Sequence, residues 1–286
     1  MRSYKQVLSV LVICFVYFCP THAQTPSPDK PPDKSKSLEH EFFRNILKDQ
    51  KAIWTSPFHI ERSDAKWMVP SALGLAALIT TDRITGDEIF EANRQVNLSR
   101  DVSYLGESYT LGALAGATYL IGRKTNNARA RETGLLSLEA MIDSGIVVGT
   151  LKGISQRQRP LDGRDRSEFF DGGSSFPSGH SIQVWSVATL VAHEYSKSRA
   201  VEVAAYGLAT AVSISRYTGH KHYLSDVLVG SALGFGIGRY VFKAHHQTDS
   251  ADSDVTEHLD HMSWPAIEPL YNRHMGQYGV ALTWNF

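Results

Sequence analysis

The chain has 286 residues, with 29 Lys and Arg against 29 Asp and Glu, a formal net charge of zero and a mean hydropathy of −0.21. That balance excludes the strong basic excess of a nucleic-acid-binding surface, so no nucleic acid partner is expected. Both cysteines, Cys14 and Cys19, lie near the N-terminus, which leaves the rest of the chain without a disulfide, a thiol nucleophile or a cysteine metal site.

The N-terminal stretch MRSYKQVLSVLVICFVYFCPTHAQ carries Arg2 and Lys5, an apolar run from Val7 to Cys19, and the small-residue site THA ending at Ala23. Residues 1–23 therefore read as a secretory signal peptide, and the protein as exported, periplasmic or held in the cell envelope. An uncleaved anchor helix is the alternative, but the apolar run is shorter than the ~20 residues a span needs. Removing Arg2 and Lys5 from the 29 basic residues leaves 27 against 29 acidic ones. Residues 24–38 are rich in Pro, Lys and Ser and predict an extended tether.

From 39 to 244 the pattern is helical almost throughout, and it predicts one all-α domain with a six-helix core. The core helices are expected near 64–80, 104–122, 128–152, 179–195, 199–215 and 220–242, with shorter ones at 39–49 and 86–95. The run at 67–79 stops at TTDR, the third core helix carries Glu139 and Asp143, the fifth Glu202, and the sixth Asp226 and Arg239. None of them offers ~18 clean apolar residues, so a soluble exported bundle is favoured over an integral one, with association at a membrane surface left open. Residues 245–263 form a polar, acidic linker. In 264–286, Tyr278, Val280, Leu282 and Trp284 alternate as in a strand, or one arm of a hairpin turning near Gly276.

Three stretches of the helical domain carry chemistry. In SSFPSGHS (174–181), Pro177 precedes a helix start, Ser178 is suited to cap it, Gly179 opens the first turn and His180 sits inside it. The bare N–H groups of such a start favour an anion. In KGISQRQRP, Lys152 ends a helix, and Pro160 forces Arg159 into an extended conformation that takes it off the helix. A solvated basic loop, with Arg157, Arg164 and Arg166 in it, is the plainer reading of that stretch. In SRYTGHKHYLSD (215–226), Arg216 ends a helix and Gly219 starts a turn. His222 and Asp226 then stand four apart, on one face of the next helix. From there the carboxylate can accept the Nδ1–H of His222 and leave Nε2 with a free lone pair. A surface His–Asp pair is the alternative, and His220, on a different face, is not an equivalent candidate.

Together these stretches supply three cations (Lys152, Arg159 and Arg216), a helix N-terminus at Ser178 and Gly179, one oriented histidine and one unpaired histidine. Phosphoryl transfer asks for this set, because its transition state spreads negative charge over three equatorial oxygens between in-line attacking and leaving groups. His222 would attack phosphorus and His180 would protonate the leaving oxygen. A phosphohistidine would form, and His180, now a base, would activate the water that hydrolyses it. The two arginines suit two-pronged contact with phosphate oxygens, the lysine a point charge.

The stretches Lys152–Pro160, Pro177–His180 and Ser215–Asp226 resemble, in order and internal spacing, the three-part signature of the type-2 phosphatidic acid phosphatase and vanadium haloperoxidase superfamily. The resemblance covers about 145–230 and implies that family's helical bundle. It implies Lys152, Arg159 and Arg216 as phosphate grips, with Ser178 and Gly179 as hydroxyl and backbone donors. By the same resemblance His180 is the general acid, His222 the nucleophile and Asp226 its orienter. No metal or other cofactor is expected, and vanadate is expected to inhibit. Three functions stay open at this stage: a phosphatase acting on a soluble or lipid phosphomonoester or diphosphate, a vanadium-dependent haloperoxidase, and a non-catalytic envelope binding protein. The complete catalytic set weighs against the last, and the short Pro160–Pro177 loop against the second. Phe169, Phe170 and Phe176 would either floor an acyl or prenyl chain or pack the bundle, while Glu168 and Asp171 discourage a heavily anionic ligand.

Overall fold

A computed structural model describes residues 34–59, 65–87, 93–161, 167–246, 266–272 and 277–283. The expected signal peptide, most of the tether, most of the acidic linker, and Gly276 and Trp284 lie outside the described residues. The chain divides into two compact units, Met1–Phe242 and Lys243–Phe286.

The first unit is helical. Its elements are α1 (Lys34–Thr55), a 3-10 turn (Ser56–His59), α2 (Ala65–Asp87), α3 (Asn93–Ser103), a second 3-10 turn (Tyr104–Gly106), α4 (Ser108–Lys124), α5 (Ala128–Ser155), α6 (Gly179–Glu194), α7 (Arg199–Thr218) and α8 (Leu224–His246), whose last turn enters the second unit. In the second unit, β1 (Ala266–Asn272) pairs antiparallel with β2 (Gln277–Thr283), in a register running from Ala266 opposite Thr283 to Asn272 opposite Gln277.

Several boundaries differ from the sequence expectation, each for a local reason. The helix expected at 39–49 begins at Lys34, inside the expected tether, because no proline follows Pro32 there. α2 does not stop at TTDR but continues to Asp87. The hydroxyls of Thr80 and Thr81 bond back to the Ala77 carbonyl at 2.7 and 3.1 Å, so they turn inward on the helix instead of breaking it. Of the short helix expected at 86–95, residues 86–87 end α2, residues 88–92 lie outside the described residues and residues 93–95 open α3, which is seated on α7 by hydroxyl pairs: Ser99 with Thr218 at 2.7 Å and Ser103 with Ser215 at 2.9 Å. The last core helix starts at Leu224, not at 220. Contrary to the sequence expectation, α5 and α8 are long and apolar enough to cross a membrane, by length and composition alone. The reason is that the charges are few over that length: Glu139 and Asp143 stand in an otherwise apolar run of α5, and Asp226 lies in the first turn of α8.

α4 packs on α5, α5 on α6, α6 on α7, and α3 on α7. One core cluster joins Leu136, Ala140, Val147 and Val148 of α5 to Ile182 and Leu190 of α6 and to Ile237 and Val241 of α8. A second joins Leu111, Met141, Val184, Ala188, Ala209 and Val212. Each fully buried large side chain contributes ~1.5–3 kcal/mol. α1 is tied to α5 by Gln50 Nε2, which donates to Asp143 Oδ1 at 2.8 Å.

A row of glycines at 230, 234 and 238 lets the backbones of α8 and α6 approach. A Cβ at these positions would lie 2.7 Å from the Ser178 carbonyl oxygen, 2.3 Å from that of Ile182 and 2.3 Å from that of Ser186. This seam brings the N-terminus of α6 against that of α8. Gly236, on the same helix, faces open space. Gly234→Ala is therefore expected to lower stability by ~1–3 kcal/mol through forced separation of the helices. Gly236→Ala should raise it by up to ~1 kcal/mol through helix propensity. Thermal unfolding of the two variants checks this: opposite signs support the seam, and equal shifts contradict it.

Candidate active site

α5 is capped at its start by the Asn127 side chain, which accepts from the Ala130 N–H at 3.1 Å, and ends where Gln156 turns left-handed at φ 44°. Lys152 therefore sits in its last turn. The chain after Gln156 is held as a tight backbone ladder: Phe170 N–H donates to Ser155, Gly173 to Gln156 and Ser175 to Arg157, each at 2.8 Å. Gly173 is required there, since a Cβ would lie 2.1 Å from the Arg157 carbonyl oxygen. The ladder delivers Ser174 to the cations: Lys152 Nζ donates to its carbonyl at 2.9 Å and Arg159 Nη2 approaches its hydroxyl at 3.4 Å.

The N-terminus of α6 meets the same place, for a Cβ on Gly179 would stand 3.9 Å from Lys152 Nζ. Ser178 holds the N-cap backbone geometry, but its side chain does not cap. It is wholly buried, its N–H donates to the Asp226 carbonyl at 3.0 Å, and its hydroxyl accepts from Ser181 at 3.1 Å. The amides of Gly179 and His180 precede the first intrahelical bond, from Ile182 N–H to the Ser178 carbonyl, and so remain the outward donors of the turn.

His222 is not on a helical face. It lies in the turn before α8, its N–H donating to the Arg216 carbonyl at 3.2 Å. Its Nδ1 is 2.8 Å from the Ser175 carbonyl oxygen and 3.7 Å from Asp226 Oδ2. The hydrogen-bond partner of His222 is thus a backbone carbonyl and not the Asp226 carboxylate expected from the spacing. A carbonyl only accepts, so the proton is on Nδ1 and the lone pair on Nε2. Asp226 Oδ2 instead accepts from Tyr223 N–H at 2.9 Å and from the Ser175 hydroxyl at 2.5 Å. It closes the first turn of α8 as a capping carboxylate and fixes the residue whose carbonyl holds His222.

Burial drives the His222 pKa down to about 4, against the opposing pull of Asp226, with Arg216 and Lys152 lowering it further. The imidazole is neutral at pH 7. Arg216 is pushed down by burial to about 10, opposed by Glu107, and stays cationic. His180 is lowered by burial and by Arg216, and raised by Glu107, whose Oε1 lies 3.1 Å from its Nε2. The charges of Lys152 and Arg216 act on both His180 and His222, and that of Arg159 acts on Lys152 and Arg216, so the three stretches converge on one cluster. Arg159 Nε, Arg216 Nε and His180 Nε2 are buried with no aligned hydrogen-bond partner among the described residues.

The sequence reading missed several participants. Arg157, read there as part of a solvated loop, is 0% exposed. Its guanidinium lies between the rings of Phe169 and Tyr223, at 4.7 and 4.4 Å. Phe169 also meets Phe176 edge-on, so these two pack while Phe170 is exposed. Glu107, just before α4, gave no signal in the sequence beyond its charge.

Comparison with known proteins adds to this geometry. Residues 133–249 match the family described as the PAP2 superfamily. The lipid A 1-phosphatase of Porphyromonas gingivalis is 42% identical over 66 residues, which are 23% of this chain and 15% of that protein. The chain thus spans about one-seventh of the curated relative it matches. The crystal structure of Aquifex aeolicus LpxE superposes with a TM-score of 0.46 at 21% identity, covering 58% of this chain and 95% of that one. That of the first transmembrane PAP2 type phosphatidylglycerolphosphate phosphatase from Bacillus subtilis also gives 0.46, at 24% identity, covering 78% and 98%. All three signature stretches fall within residues 133–249, the segment that matches the PAP2 superfamily.

Proposed function

We propose that this protein is a metal-independent phosphatase that hydrolyses a phosphomonoester or diphosphate borne by a lipid, on a six-helix core to which the C-terminal hairpin is appended. The observation that carries this reading is a buried, neutral histidine with its lone pair on Nε2, set among three cations, of which Arg159 Nε and Arg216 Nε are buried donors with no hydrogen-bond partner among the described residues.

The substrate phosphoryl group sits against Lys152, Arg159, Arg216 and the Gly179 amide, whose charges and N–H groups meet its equatorial oxygens. Ser178 keeps its hydroxyl proton to donate to the same group. Nε2 of His222 forms the bond to phosphorus as the bond to the leaving oxygen breaks, and His180 gives its proton to that oxygen. His180 then takes a proton from water, the water oxygen bonds to phosphorus, and the P–N bond breaks to release phosphate. Asp226 orients His222 through Ser175. Three cations already supply the charge that metals provide in two-metal hydrolases.

A lipid substrate is supported by the matched relative's being a lipid A 1-phosphatase and by exposed Ile154 in the last turn of α5 and exposed Leu161 and Phe170 on the loop after it. Met68, Val69 and Leu73 of α2 and Val203 and Ile214 of α7 are exposed as well, which suits association with the membrane of the cell envelope after export.

His222→Ala is expected to abolish turnover, and rapid quenching with a labelled lipid phosphomonoester should trap an acid-labile phosphohistidine in the parent protein only. Chelators should leave the rate unchanged and vanadate should inhibit competitively, as a mimic of the transition state. Halide oxidation by peroxide in the presence of vanadate, with no phosphoenzyme, would make the protein a haloperoxidase instead.

The pH profile tests the acid. Glu107 raises the His180 pKa against burial, Arg216 and Lys152. Glu107→Gln therefore lowers that pKa, and protonated His180 is lost at lower pH. The alkaline limb of kcat/KM, which reports the free enzyme, should move to lower pH, while the acid limb, set by His222, stays near pH 4. An alkaline limb that does not move contradicts the assignment of His180.

A further inference from the structure

α2 is an unusual neighbour for an active site. Its described side chains are exposed or half-buried, with one exception: Asp82, only 1% exposed. Asp82 Oδ2 accepts from Arg157 Nη2 at 2.9 Å and from the Ser225 hydroxyl, and Oδ1 accepts from Ser225 N–H at 3.2 Å. Arg157 passes the contact on. Its Nη1 donates to Asp226 Oδ1 at 2.7 Å and to Ser225 Oγ at 2.8 Å, and its Nε to the Ser167 carbonyl at 3.3 Å. Asp226 then holds the Ser175 hydroxyl, and the Ser175 carbonyl holds Nδ1 of His222.

From this unbroken chain of bonds we propose that Asp82 and Arg157 are positioning residues for His222, which makes α2 a working part of the site. The inference rests on the reading of His222 as the nucleophile. A buried guanidinium is held in one place only when its N–H groups are all directed at acceptors, and removing one partner leaves an uncompensated buried charge. Without Asp82, Arg157 keeps Asp226 as its sole carboxylate and Ser225 loses its acceptor. Arg157, no longer fixed from the α2 side, can then shift and draw the Asp226 carboxylate with it, and through the Ser175 hydroxyl the Ser175 carbonyl moves too. The grips at Lys152, Arg159 and Arg216 are untouched. The defect is thus one of nucleophile aim and not of substrate binding, and misplacement on the order of 1 Å can cost ~100-fold in rate.

The test is the single-turnover rate of phosphohistidine formation in the full-length protein, with inhibition by inorganic phosphate measured alongside. Asp82→Asn, which keeps the shape and removes the charge, is expected to slow phosphorylation ~10- to 100-fold with KM and phosphate inhibition unchanged. Arg157→Lys, which loses the two-pronged contact, should do the same. A wild-type phosphorylation rate in Asp82→Asn overturns the proposal, and so does a loss confined to KM or to phosphate inhibition. If Asp82→Asn does not fold, Ser225→Ala removes the hydroxyl shared by Asp82 and Arg157. A phosphorylation rate reduced ~10-fold supports the proposal there, and an unchanged one overturns it. Absence of phosphohistidine from the parent protein is a different result, one that brings down the phosphatase reading itself and this inference with it.

Discussion

The site depends on a guanidinium held without any exposure to solvent between two carboxylates. Arg157, bonded to Asp82 on one side and Asp226 on the other and enclosed by the Phe169 and Tyr223 rings, joins α2, the loop after α5 and the start of α8. Burying a charge of that size is costly, and it is offset only by the full set of bonds around it. Such an arrangement has one low-energy geometry. The turn holding His222 and the loop holding Ser175 inherit that geometry, which is how flexible segments come to present a fixed imidazole.

Around this fixed point the charges are sorted by burial. Asp82 and Asp226 are spent on Arg157 and on backbone amides, below the surface of the site. Lys152, Arg159 and Arg216 are left above it with little anionic company, Glu107 being the exception beside His180 and Arg216. The α6 N-terminus adds its amides on the same side, brought there by the glycine seam with α8. The result is a concentration of positive charge next to a histidine kept neutral by burial. On the proposed function, that charge would draw in an anionic phosphorus centre while His222 keeps the lone pair with which to attack it.

Much of this was legible in the sequence, and the reasons for the gaps are physical. The helical content was readable from the apolar periodicity, and the three motif stretches from residue type and spacing. Burial and long-range pairing were not readable. Arg157 looks like any other arginine in QRQR, and Asp82 lies 75 residues away from it on a helix that reads as ending at TTDR. Spacing alone also misled: four residues between His222 and Asp226 suggest a helical pair, yet Asp226 caps the helix and His222 stands outside it. The glycines at 230, 234 and 238 were a visible signal of close helix packing that the apolar pattern overshadowed. In α5 and α8, requiring a run free of charges hid that each helix stays long and apolar enough to cross a membrane despite the few charges it carries.

The central claim is that the buried carboxylates aim His222 Nε2 at a phosphoryl group gripped by three cations. A crystal structure of the full chain with bound vanadate tests it most directly. The account predicts a five-coordinate vanadium bonded to His222 Nε2, with equatorial oxygens on Arg159, Arg216 and Lys152. In that structure His222 Nδ1 should still bond the Ser175 carbonyl. Vanadate bound away from His222, or a His222 ring turned so that Nδ1 faces the metal, would contradict it.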